Sequence, residues 1–163
     1  MISRRAALLG GFALLGGGMF AGEPATALEG SFPVTRSDAE WRRILSSAQY
    51  RILRQSGTER PGSSPLDREK RAGTFVCAGC GQAVFSSQDK YDSGTGWPSF
   101  TASMAGGIGT SPDTSLGMSR TGVHCSRCGG HLGHVFNDGP APTGKRFCMN
   151  GIAMRFAPGG ARS

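Results

Sequence analysis

The sequence predicts a mainly β, antiparallel domain behind an N-terminal helical segment, tied together by a four-cysteine structural zinc site. Three observations carry that prediction. Short β-prone runs recur between Gly-rich turns. One amphipathic stretch, opened by a capping-box pattern, precedes them. Two Cys-x-x-Cys-Gly knuckles lie inside the β region. With 27 Gly and 9 Pro in 163 residues the chain is rich in turns, and its length suits one domain. Gly keeps no three-residue period, which excludes a collagen repeat, and a single apolar stretch excludes a polytopic membrane protein.

That stretch is N-terminal. Ser3-Arg4-Arg5 leads into an uncharged, Gly-rich run from Ala6 to Ala21. The run falls short of the roughly 20 apolar residues of a spanning helix. A basic start, a short apolar core and a small-residue Ala25-Thr26-Ala27 site predict an export signal over residues 1–27. The Arg4-Arg5 pair is of twin-arginine type, which predicts a periplasmic or exported protein and passage through an export machinery. Left uncleaved, the signal would tether the domain to the membrane. The net charge of +7 is scattered among acidic residues, as at Asp67-Arg68-Glu69-Lys70-Arg71, so it reads as a solvated surface and not a nucleic-acid face.

Residues 28–36 read as an extended tail, 37–157 as the domain and 158–163 as a C-terminal tail. Ser37 and Glu40 form the capping box. Trp41, Ile44, Leu45 and Ala48 then fall at i, i+3, i+4 and i+7, the stripe of an amphipathic helix that Tyr50–Leu53 extends and Gly57 stops. Trp41 reads as a core anchor. Residues 57–73 form a polar connection. Strands are expected at 74–77, 83–85, 121–126, 131–136 and, as one run, 146–156; residues 102–119 read as a loop or weak strands.

Cys77-Ala78-Gly79-Cys80-Gly81 and Cys125-Ser126-Arg127-Cys128-Gly129 each place two thiols at the spacing of a metal knuckle, with Gly where a tight turn needs positive φ. Together they predict one tetrahedral Zn2+ held by Cys77, Cys80, Cys125 and Cys128, closed and therefore structural. Two disulfides, or a redox dithiol, are the competing readings for an exported chain.

The fifth cysteine, Cys148, is left over. On a strand it shares a face with Arg146 and Asn150. A cation there favours the thiolate, whereas a buried inert thiol is the plain alternative. His131 and His134 precede it; on a regular strand they face apart, and a bulge at Gly133 would bring both inward. Gly139–Lys145 is no phosphate loop, because Pro140 and Pro142 lack the needed N–H groups and Arg146 stands where Ser or Thr is required.

Taken together, Gly94-Thr95-Gly96-Trp97-Pro98-Ser99-Phe100, His131 through Pro140, Pro142 through Asn150 and the two knuckles resemble the B-type methionine sulfoxide reductases, the R-epimer-specific family. The resemblance runs from about Trp41 to Phe156. It implies two antiparallel sheets with short N-terminal helices, and Cys148 as the nucleophile that attacks the sulfoxide sulfur. It further implies that Trp97 and Phe136 hold the substrate methyl group. His131, His134 and Asn150 would orient and protonate the oxygen, with Asp138 and Arg146 in support. The substrate would be oxidised methionine in proteins or peptides. Many relatives carry a resolving cysteine where this chain has Thr95, so the resemblance implies a one-cysteine cycle served directly by an external thiol reductant, thioredoxin-like or another periplasmic donor. A zinc-knuckle binding module without chemistry is the alternative, since a scaffold alone does not fix function.

Overall fold

A computed structural model describes residues 32–159. The expected export signal, the start of the 28–36 tail and the last four residues lie outside the described residues. Among the described residues two short helices come first, α1 (Asp38–Ile44) and α2 (Ser47–Gln55). Nine strands follow: β1 (Gly73–Cys77), β2 (Ala83–Ser86), β3 (Lys90–Tyr91), β4 (Ser99–Phe100), β5 (Ile108–Asp113), β6 (Arg120–Cys125), β7 (His131–Phe136), β8 (Arg146–Met149) and β9 (Met154–Pro158). They build two antiparallel sheets, one ordered β2-β1-β9 and the other β3-β4-β8-β7-β6-β5. The mainly β class with two sheets and short N-terminal helices is what the sequence and its resemblance predict. Among the described residues no helix is long and apolar enough to cross a membrane.

The single helix expected over residues 37–53 is two helices. The Ser37–Glu40 capping box opens α1. Ser46 and Gln49 form a second box, Ser46 accepting from the Gln49 N–H while Gln49 accepts from the Ser46 N–H. A capping Ser takes extended backbone, so the chain breaks at Leu45 and restarts. The break resets the buried face. Trp41, Leu45, Tyr50, Ile52 and Leu53 enter the core, whereas Ile44 and Ala48 of the expected stripe are exposed.

The run expected over 146–156 also divides. Strand β8 stops at Met149, a 3-10 turn covers Gly151–Ala153, and β9 joins the other sheet. The chain therefore crosses between sheets just after Cys148. Within the segment expected to be loop or weak strands, β5 pairs with β6 along its whole length. Phe75 and Phe85 of the small sheet meet Phe100 of the large one, all fully buried; Phe85 and Phe100 stack with ring centroids 4.4 Å apart. Each such ring removed from water contributes roughly 1.5–3 kcal/mol, and this cluster fixes the two sheets face to face.

Candidate active site

The two knuckles sit at matching strand ends. Cys77 ends β1 and Cys125 ends β6, and in each turn the Gly after the second Cys donates back to the first: Gly81 N–H to Cys77 O, Gly129 N–H to Cys125 O, both 2.9 Å. Both glycines have positive φ, 76° and 66°. The four sulfurs lie within 4.8 Å of one another, with Cys77–Cys128 at 3.7 Å and Cys80–Cys125 at 3.5 Å. A disulfide requires about 2.05 Å, and none is formed. A tetrahedral zinc with Zn–S near 2.3 Å puts its sulfurs about 3.8 Å apart, so the donor set and spacing fit that ion. Because β1 and β6 belong to different sheets, a metal here ties the sheets together. Trp41, 3% exposed, packs near the first knuckle, under the Arg54 guanidinium.

The second cluster forms on the large sheet. Strand β8 runs between β4 and β7, so Cys148 stands opposite Ser99 on one side and His134 on the other. Directly opposed residues of an antiparallel pair share a face. Two positions along, Arg146 opposes Phe136 on that same face. The Arg146 guanidinium covers the Phe136 ring at 4.5 Å and grips Asp138 with two hydrogen bonds, Nε to Oδ1 at 2.9 Å and Nη2 to Oδ2 at 2.7 Å. A cleft of about 490 Å³ opens beside them, lined among others by Tyr91, Thr95, Asp138, Pro140 and Arg146.

The histidines are brought together by an irregularity in β7. Val123 pairs with Gly133 but His124 pairs with His131, so Leu132 is the extra residue. The bulge lies one position before the Gly133 that the sequence pointed to. His131 and His134 end edge-on, ring centroids 5.2 Å apart. His131 Nε2 is buried and has no hydrogen-bond partner among the described residues. Burial, and then the neighbouring His134, depress His131 to about 4. His134 Nε2 meets the Asp113 carboxylate at 2.6 Å, and Asp113 also pairs with Arg120.

The thiol and the asparagine depart from expectation. Burial pushes the Cys148 thiol up; the Arg146 charge and the Thr95 hydroxyl pull it back without prevailing. The cation thus favours the thiolate as expected, but desolvation outweighs it. Asn150 does not alternate with Arg146 and Cys148 on one strand, because β8 has already ended. It is buried, its Nδ2 donating to Leu132 O (3.1 Å) and its Oδ1 accepting from the Glu59 N–H (2.9 Å).

Trp97 is held from both sides. Its Nε1 donates to Glu59 O at 3.2 Å, and the adjoining Pro98 carbonyl accepts from the Met149 N–H, next to the thiol. The turn before it needs Gly96: φ is 85°, and a Cβ there would come within 2.9 Å of Gly62 N and Pro61 Cβ.

Sequence reasoning missed Asp113 and Glu59. Asp113 fell in a stretch read as loop or weak strands, and only the pairing of β5 with β6 brings it to His134. Glu59 sat in a polar connection, where a carboxylate reads as solvated, yet it is 3% exposed.

The SelR domain family matches residues 45–158. The chain is 50% identical over 127 residues to the peptide methionine sulfoxide reductase MsrB of Leptospira interrogans, covering 77% of this chain and 97% of that protein. It is 52% identical over 124 residues to the MsrB of Methanosarcina barkeri, with coverage of 76% and 87%. The MsrB of Bradyrhizobium diazoefficiens is 52% identical over 126 residues, with coverage of 77% and 91%. The chain belongs to the SelR family, the B-type methionine sulfoxide reductases. The family match takes in both knuckles, Trp97 and every residue on the Cys148 face. In this B-type reductase Thr95 stands beside the thiol, and a β5 carboxylate meets His134.

Proposed function

We propose that this oxidoreductase reduces peptide-bound methionine (R)-S-oxide to methionine, with Cys148 as its nucleophile. The observation that carries the reading is the cross-strand pairing of Cys148 with His134, flanked by His131 and Arg146. A sulfoxide oxygen must be protonated as it leaves sulfur, so a nucleophile and a proton donor must share one face. In the proposed step the Cys148 sulfur attacks the sulfoxide sulfur, the oxygen passes to Cys148, and methionine departs. Cys148 is left as a sulfenic acid. Trp97 and Phe136 would hold the substrate methyl group. His131 and His134 would orient and protonate the oxygen; His131 Nε2 is buried with no partner among the described residues, and His134 Nε2 is committed to Asp113. Asn150, its amide spent on Glu59 and Leu132, supports the turn behind them. Asp138 fixes the Arg146 guanidinium beside the thiol.

An external thiol then attacks the sulfenic acid, releasing water and leaving a mixed disulfide. A second thiol resolves it and restores Cys148. Support for this one-cysteine cycle comes from Thr95, which cannot form a disulfide, and from the gathering of the other four cysteines in one cluster. Cys77, Cys80, Cys125 and Cys128 would hold a structural zinc, which braces the two sheets and takes no part in the reaction. The Arg4-Arg5 signal pattern supports action on oxidised exported proteins, with the thiol donor outside the cytoplasm.

Separate assays on peptide methionine R- and S-sulfoxides with dithiothreitol test the reading. Reduction of the R epimer alone is expected. A folded, zinc-loaded protein that reduces neither would instead be a binding module.

A further inference from the structure

We propose that Glu59 is a positioning residue, one that locks the Trp97 side of the substrate pocket to the turn following Cys148. The inference rests on the substrate reading above for its kinetic consequences. Every polar group of Glu59 is engaged. Its carbonyl accepts from Trp97 Nε1 (3.2 Å) and its N–H donates to Asn150 Oδ1 (2.9 Å). Its carboxylate accepts from the Gly151 N–H (2.5 Å) and the Ile152 N–H (3.1 Å). Hydrogen bonds to a buried charged acceptor are the strong kind.

The neighbouring residues repeat the pattern. The Gly62 N–H donates to Gly96 O at 2.6 Å, a second tie to the Trp97 turn. A Cβ at Gly151 would collide with the Ser64 hydroxyl, so residues 59–64 press directly on the turn after the nucleophile. Asn150 passes the restraint on: its backbone N–H and its Nδ2 both donate to Leu132 O, within the bulge that turns His131 inward. Cys148 itself is held independently, by its pairings with β4 and β7. The segment is therefore a clip whose loss frees Trp97 and the Asn150 turn but leaves the thiol in place. Burial favours the protonated carboxyl and the two amides oppose it, so this acid is kept at a solvation cost that an outward-facing residue would not carry.

The test uses Glu59→Gln, which keeps the volume but turns an N–H donor toward the Gly151 and Ile152 amides. With zinc content and circular dichroism as in wild type, KM for a methionine R-sulfoxide peptide is expected to rise about tenfold. Iodoacetamide alkylation of Cys148 is expected to stay within about twofold, because β4 and β7 still hold it. The Trp97 indole N–H resonance, assigned by its absence in Trp97→Phe, should move upfield and exchange faster. In a Trp97→Phe background the KM effect of Glu59→Gln should shrink, since coupled residues are non-additive. An unmoved indole resonance, or fully additive KM effects, overturns the proposal. If Glu59→Gln does not fold, Glu59→Asp, which withdraws the carboxylate by one methylene, is read by the same criteria. The indole resonance needs no turnover. A wild-type protein inactive on methionine sulfoxide would sink the substrate reading and leave the Glu59–Trp97 coupling separately measurable.

Discussion

The Asp113 carboxylate on β5 reaches over the intervening strand β6 to His134 on β7, Oδ2 to Nε2 at 2.6 Å. The residue of β6 directly opposite His134 is Gly122, and that missing side chain leaves the lane open. A carboxylate on one ring nitrogen fixes the imidazole's tautomer and orientation. Asp113→Asn is therefore expected to lower kcat by roughly 10²-fold, within the usual reach of general acid–base catalysis, with KM little changed. Steady-state kinetics on a sulfoxide peptide check this, and an unaltered kcat would show that His134 acts without Asp113.

Burial raises the Cys148 thiol and Arg146 opposes that rise. Alkylation by iodoacetamide should accelerate through pH 7–9 without a plateau, because the thiolate is still accumulating. Arg146→Met removes the opposing charge, drives the thiol further up and should slow alkylation at pH 8 by about 3- to 10-fold. A plateau below pH 8 in the wild type would mean that the guanidinium wins over burial.

Much of this site is written locally. Knuckle spacing named the four clustered sulfurs, and the motifs around Trp97, His131 and Cys148 named residues that the fold does gather. What stayed hidden depends on pairing between distant segments. The second capping box at Ser46 and Gln49 competes with a helical stripe that Ile44 and Ala48 would continue. Just past the end of β8, Asn150 and Gly151 meet Glu59, some ninety residues earlier. The bulge at Leu132 exists only in register against β6. Hydrophobic periodicity carries none of these, because each is a hydrogen-bonding choice that the apolar pattern does not encode.

Removing metal should separate stability from chemistry. Cys77→Ser, or exhaustive chelation, is expected to untie the two sheets, since structural zinc in small peptides is worth about 10–16 kcal/mol of apparent binding free energy. A fall in Tm of more than ~10 °C is expected. Cys148→Ser, away from the cluster, should keep Tm within ~2 °C while abolishing turnover. Calorimetry with zinc analysis decides, and one zinc per wild-type chain is the expected stoichiometry.

With Thr95 beside the thiol, oxidised Cys148 has no sulfur partner there. Peptide mapping after one turnover without reductant should find a sulfenic acid at Cys148 and no intrachain disulfide. Thr95→Cys should instead trap an intrachain disulfide to Cys148. Finding Cys148 bonded to any knuckle cysteine in the wild type would refute the one-cysteine cycle.

His131 also sets an acid limit on the fold. Its folded value, about 4, lies below the ordinary 6.5. Between those pH values the unfolded chain binds a proton at His131 that the native chain refuses. Stability therefore falls as pH drops from 6.5 toward 4, and the contribution is fully present above 6.5. A depression of this size corresponds to about 3 kcal/mol at most. The raised carboxyl of Glu59 acts in the opposite sense, gaining stability on acidification, so the wild-type profile mixes both. Subtracting the profile of His131→Asn isolates the histidine: urea midpoints measured at pH 7.5 and 5.0 should fall further in wild type than in the variant. Equal falls would mean that His131 accepts its proton in the folded state.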